Sequence, residues 1–140
     1  MNAPLLIDTC ALLWLTGITS VSHLGQVEDA LDQARAAGKD VLVSPITAWE
    51  LGMLAAKGRA PLPMPVKLWL DHVMSVGGLK WSALSVEVLI ASTDLPWETH
   101  SDPADRILIA TAREYGLRIL TRDRKILDYA AKGHVMALPC

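Results

Sequence analysis

Two cysteines, Cys10 and Cys140, are too few for a disulfide framework, which fits a reducing cytosol. No uninterrupted apolar run reaches the roughly 18 residues of a membrane span, so no membrane association is expected. The Leu-rich stretch from Leu5 to Ile18 is not read as a signal peptide. No basic segment precedes it, Asp8 interrupts it, and no small-residue cleavage pattern follows. An excess of positive charge is missing too: 13 Lys and Arg face 15 Asp and Glu, for a net charge of −2. A nucleic-acid partner would therefore need a local patch, a metal or a partner chain. There is no Cys/His cluster with zinc spacing, no Gly-rich phosphate loop, no nucleophile elbow and no Ser-His-Asp arrangement. Repeats, low-complexity tracts and interdomain linkers are absent as well. What remains is a 140-residue chain, 51% hydrophobic, with mean hydropathy +0.30. That is enough for one globular domain over residues 1–140 with a real core.

Leu5-Leu6-Ile7 is a continuous apolar run, the pattern of a strand buried on both faces, and Asp8-Thr9 closes it. Cys10 to Leu15 begins a helix; Cys10, in an apolar run, is expected in the core, and Cys140 is expected free. Ser20 to Gly38 carries a helical stripe of Leu24, Val27, Leu31 and Ala34, with Glu28, Asp29, Asp32 and Arg35 on a solvated face. Val41-Leu42-Val43 is a second strand. Ser44-Pro45 opens a helix to about Lys57 by cap-then-proline logic, with Gly58 at its end. Pro61, Pro63 and Pro65 stiffen the next connection. Val66 to Val76 is a helix with Val66, Trp69, Leu70 and Val73 inward, stopped by Gly77-Gly78. Leu79 to Leu84 reads as a strand, Ser85 caps a helix through about Ser92, and Asp94 to Ser101 is a loop. A helix after Asp102-Pro103 runs to Tyr115 and leaves through Gly116. Arg118 to Thr121 is a strand, and Asp123 opens a helix of Ile126, Leu127 and Tyr129 that Gly133 ends. His134 to Leu138 is a last strand at a sheet edge. Alternating strands and helices imply a parallel sheet covered by helices on both faces.

The acids carry the chemistry. Asp102 as N-cap, Pro103 as first helical residue and Asp105 as the third make a capping box with aspartates. Asp8 and Asp123 have the same plain explanation. Glu50 does not, because it lies six residues past the Ser44 cap with Ile46, Met53 and Leu54 as its helical neighbours. A carboxylate on an apolar face is costly unless paired or bound to a metal; the plain alternative is a pair with Lys57. Ligands of open parallel sheets bind outside the carboxyl ends of strands, where Asp8 and Asp123 are expected. Clustered carboxylates need a counter-charge. Oxygen-only ligands select hard cations such as Mg²⁺ or Mn²⁺, which activate water and neutralise phosphate.

On these residues the chain resembles the PIN-domain ribonucleases, specifically VapC-type toxins of bacterial toxin–antitoxin pairs. The resemblance rests on Asp8-Thr9 after the first strand, on Glu50 within Ser44-Pro45-Ile46-Thr47-Ala48-Trp49-Glu50, on His100-Ser101-Asp102-Pro103-Ala104-Asp105-Arg106, and on Thr121-Arg122-Asp123. It covers nearly the whole chain in order. It implies a single PIN-like α/β domain with a four- to five-stranded parallel sheet flanked by helices on both faces. It also implies a cytoplasmic, Mg²⁺- or Mn²⁺-dependent endoribonuclease that forms a homodimer and is covered by a cognate antitoxin. Asp8, Glu50, Asp105 and Asp123 match the family's acidic quartet. Asp102 is an accessory acid that holds a metal-bound water or only caps. Thr9 and Thr121 order carboxylates. Arg106 and Arg122 orient acids or meet RNA phosphate, and His100 is a general acid or a loop-ordering group. Walls near Trp49, Met53, Trp69 and Trp97 would receive the antitoxin segment. Two other classes stay open. A Mg²⁺-dependent phosphatase or phosphoacceptor needs a second acid beside or two residues after the first-strand aspartate, and Asp8-Thr9-Cys10 offers none. A non-catalytic binding module could keep the same fold.

Overall fold

Three-residue apolar runs with no polar face have only one stable place, the middle of a sheet covered on both sides. The computed structural model, which describes residues 3–18, 25–59, 62–97 and 100–140, puts them there. The strands are β1 (Leu5–Ile7), β2 (Val41–Val43), β3 (Lys80–Trp81), β4 (Arg118–Thr121) and β5 (Met136–Pro139). They form one parallel sheet in the order β3-β2-β1-β4-β5. Among the described residues the helices are α1 (Thr9–Leu15), α2 (Gly25–Ala36), α3 (Ile46–Ala56), α4 (Val66–Val76), α5 (Val86–Thr93), α6 (Pro103–Tyr115) and α7 (Arg124–Ala131).

Alternate residues of β1 face opposite cores. Leu5 and Ile7 join Val41, Val43 and Leu120 against Leu31 of α2 and Trp69 and Leu70 of α4. Leu6 joins Ile119 against Leu108 and Ile109 of α6 and Ile126 and Tyr129 of α7. Gly116 leaves α6 at φ +67°, a left-handed exit that glycine takes without a Cβ clash.

The structure corrects several details. Cys10, the second residue of α1, is exposed rather than in the core, because it lines an open pocket beside Asp8 and Glu50. Trp69 and Met74 are buried, Trp69 at the floor of a separate pocket beside Leu31 and Val73, whereas Trp49, Met53 and Trp97 are exposed. β3 keeps only Lys80–Trp81 of the expected run, since Leu42 and Val43 are its sole ladder partners. The last strand is shifted to Met136–Pro139. Ser44 caps by a shorter route than expected: Pro45 takes the N-cap position, and Ser44 Oγ accepts from the Ile46 N–H at 3.1 Å. The expected helix start at Ser20, together with Leu24, Pro61 and Glu98, falls outside the described residues.

β2 and β3 lie on one side of β1, and β4 and β5 on the other. The chain therefore reverses its winding between β1 and β4, and their carboxyl ends border the crevice where such sheets bind ligands. Register pairs Ile7 with Leu120, which brings Asp8 level with Thr121.

Candidate active site

Asp8 follows β1 and caps α1, its Oδ1 accepting from the Ala11 N–H at 2.8 Å. Its Oδ2 accepts from the Thr121 hydroxyl at the end of β4. Thr9, the next residue, donates its hydroxyl to Glu50 Oε1 at 2.6 Å. Glu50 reaches the site from the second turn of α3. One turn before it, the fully buried Thr47 hydroxyl is 2.9 Å from that of Thr9. An ionised Glu50 can only accept, so Thr9 must donate to it and Thr47 must donate to Thr9. The order Thr47 to Thr9 to Glu50 follows from that alone.

The other side is built from β4 and the start of α6. Asp123 caps α7 through Oδ1 and the Ile126 N–H at 3.0 Å, and its own N–H meets Thr121 Oγ1 at 3.0 Å. His100 Nε2 lies 3.0 Å from both Asp123 Oδ2 and Asp105 Oδ2. His100 Nδ1 faces the Asp102 N–H at 3.2 Å, which assigns Nδ1 as acceptor and leaves the one ring proton on Nε2, between two carboxylates. Asp102 caps α6, accepting from the Asp105 N–H at 3.1 Å.

Asp8, Glu50, Asp105 and Asp123 thus line one pocket of about 330 Å³, together with Thr9, Cys10, Trp14 and Arg122. Among the described residues, no lysine or arginine forms an ion pair with any of the four. Burial pushes the Asp8 and Glu50 carboxyls up, against the Thr121 and Thr9 hydroxyls that favour their charged forms. Asp105 is pushed up to about 8, first by burial and then by the charge of Asp102, with Asp123 and Glu50 behind. For Asp123, burial acts upward but is outweighed by the His100 and Ile126 hydrogen bonds, and the carboxyl lies below its ordinary value. Partial burial and the four surrounding carboxylates raise the Cys10 thiol to about 12, which keeps it protonated and unreactive.

The arginines go elsewhere than to the acids. Arg106 donates from Nε to the Ser92 carbonyl at 2.8 Å and from Nη1 to the His100 carbonyl at 2.9 Å, so it ties the end of α5 and the His100 loop to α6. Arg122 donates to the Cys140 carbonyl at 2.7 Å and lies 4.4 Å from the Trp14 ring centroid. Thr47 was missed in the sequence; its signal is the three-residue spacing to Glu50, which sets both on one helical face.

The donor set suits a hard divalent cation. It is four carboxylates, at least two held at one oxygen by hydroxyls, and three of them carry raised values that a cation would relieve. His100, Asp105 and Asp123 present ligand atoms within 4.8 Å of one another.

A strand-end acid pair stands at the winding reversal of a small parallel sheet, joined by acids from two helices. The PIN domain matches over residues 5–132, and the chain belongs to the PIN-domain family. It is 36% identical over 104 residues to Ribonuclease VapC22 of Mycobacterium tuberculosis, a match covering 71% of this chain and 75% of that protein. Solved structures share the fold. VapBC2 from Rickettsia felis, bound to a DNA fragment from its promoter, aligns with TM-score 0.68 at 12% identity over 96% of this chain and 97% of that one. A toxin–antitoxin complex from Klebsiella pneumoniae aligns with TM-score 0.61 at 23% identity over 95% and 94%.

Proposed function

We propose that this chain is a metal-dependent endoribonuclease and the toxin of a toxin–antitoxin pair, with Asp8, Glu50, Asp105 and Asp123 as the carboxylates that hold Mg²⁺ or Mn²⁺. One observation carries the reading: four carboxylates from four elements converge on one pocket with no ion-paired lysine or arginine among the described residues. The likeness to a protein named as a ribonuclease supplies the substrate class. A divalent cation there would polarise a phosphodiester and make a bound water acidic enough to attack it.

The chain's own residues prepare the site. Thr121 and Thr9 hold one oxygen each of Asp8 and Glu50 and leave the other for ligation. His100 keeps Asp123 charged and holds Asp105 beside it. Asp105 must lose its proton before it can ligate, so protons and metal compete below about pH 8. Asp102 caps α6 and fixes where Asp105 begins. Arg122, held by the Cys140 carbonyl and the Trp14 face, stands at the pocket wall, where RNA phosphate would approach. The same reading extends to a homodimer acting in the cytoplasm, with an antitoxin segment on the exposed Trp49 and Met53 beside Glu50.

Incubating the purified chain with total RNA tests this. Cleavage should require Mg²⁺ or Mn²⁺ and stop with chelator. Cleavage indifferent to chelator, or hydrolysis of phosphomonoesters instead, would overturn it.

A further inference from the structure

Away from the carboxylates lies a groove of opposite character, about 900 Å³, between α6, α7 and the outer strand β5. Its titratable lining is Arg113, Arg118 and His134, with no acid among them. Neither arginine is ion-paired among the described residues, and Nε of Arg118 is buried without a hydrogen-bond partner. On a chain of net charge −2, the groove is a local cationic surface.

At His134 the groove adjoins an aromatic stack. Trp97 stacks on His134 with ring centroids 3.9 Å apart and planes 15° apart, and Tyr129 leans on the same imidazole at 4.9 Å. The Tyr129 hydroxyl donates to the Pro96 carbonyl at 2.6 Å, and Arg113 donates to the His134 carbonyl, so loop, α6 and α7 all hold the stack. Trp97 is 69% exposed although His134 covers one ring face, so the other face is bare. Its φ of +57° is a backbone conformation that bulky residues rarely adopt. A strained residue that presents a bare ring is built for contact, not for packing. Three residues further on, His100 lies between Asp105 and Asp123, a chain reach of at most roughly 10 Å.

We infer that Trp97 and the Arg113–Arg118 groove form a track for single-stranded RNA leading away from the carboxylate pocket. A base stacks on the bare face of Trp97, and the arginines meet the phosphates beyond it. The inference rests on the ribonuclease reading and extends it to how the substrate is held. A cationic groove with an aromatic platform is the combination that binds single strands without regard to sequence. An extended peptide could instead pair with the open edge of β5. That use would need neither a free indole face nor two guanidiniums without an ion pair, and Pro139 lacks the N–H that pairing would use.

Fluorescence anisotropy of a labelled single-stranded RNA 12-mer, in chelator and across a salt series, tests the track without cleavage. Trp97→Ala should weaken binding by about five-fold or more with an unchanged salt slope, because stacking releases no counterions. Trp97→Phe should keep most of the affinity. Arg113→Gln should lower the salt slope by about 0.7, the loss of one phosphate contact. With metal present, Trp97→Ala should lose kcat/KM on the 12-mer and none on a dinucleotide too short to reach position 97. Unchanged RNA binding in both Trp97→Ala and Arg113→Gln, with melting temperatures intact, overturns the track. So does a change of oligomeric state, or loss of an extended peptide ligand, without loss of RNA. If the parent binds RNA through Trp97 yet cleaves none, the ribonuclease reading fails and the track stands.

Discussion

The carboxylate pocket has two halves that start from one local design and end differently. Asp8 and Asp123 each follow a strand and cap a helix with Oδ1. Asp8 is 5% exposed and held by a neutral hydroxyl, and burial raises it. Asp123 keeps a third of its side chain in solvent, meets His100, and is lowered. Their partners divide the same way: Glu50 belongs to the hydroxyl half through Thr9, and Asp105 to the histidine half. Capping explains each aspartate equally well. What separates the halves is burial and the neighbouring charge: burial and the Asp102 carboxylate raise Asp105, while the hydrogen bonds from His100 and the Ile126 N–H lower Asp123.

Asp105→Asn should break the comparison most, because it removes the histidine half's partly buried acid, the one pushed up to about 8. RNA cleavage should fall by about a hundred-fold or more, while the metal-free protein melts higher, because the amide is neutral without having to take up a proton on folding. Equal cleavage would show that the histidine half does no chemistry. His100→Ala comes next. It frees Asp105 and Asp123 at once, and titration of Mn²⁺ should show affinity reduced by about ten- to a hundred-fold. An unchanged affinity would make His100 a loop residue only.

The pH dependence of melting sharpens the contrast at lower cost. Asp105 titrates near 8 in the folded chain, up from 3.8. Between those values the folded form binds a proton that the unfolded chain has lost, so stability falls as pH rises and the loss is complete above pH 8. In chelator, going from pH 6 to pH 9 should remove about 3 kcal/mol. Asp105→Asn should flatten the curve; a parent curve already flat would deny the raised value.

The smallest effect should come from Thr47→Val in the hydroxyl half. Removing a buried hydroxyl changes stability by about 1 kcal/mol or less, while Mn²⁺ affinity should drop about three- to ten-fold as Glu50 loses its backing. Thr47→Ser should restore it. Lost stability with unchanged affinity would make Thr47 a packing residue.

Most of the fold was written in periodicity and punctuation. The helix from Pro103 to Tyr115 was bounded by Asp102 and Gly116, and the strand from Arg118 to Thr121 by its apolar run. Val66–Val76 was equally plain between Pro65 and the paired glycines. Elements fixed by long-range partners were not: the extent of β3 depends on β2, and the exposure of Cys10 on which side of α1 the sheet covers. The gathering of four acids around one pocket followed from strand ends and from the misfit of Glu50 in an apolar helix. The hydrogen bonds that distinguish them did not. Thr47 acts across 38 positions on Thr9, and Thr121 across 113 on Asp8, separations at which local spacing carries no information.

The central claim is that the four carboxylates form one cation site in which a proton on Asp105 occupies the place of a ligated charge. Isothermal titration of Mn²⁺ into the metal-free chain at pH 7, in two buffers of different ionisation enthalpy, reads it directly. Binding should release about one proton. Glu50→Gln should bind more weakly, and Asp105→Asn should release none. Failure of the parent to bind, or equal binding by all three with no proton released, would contradict the account.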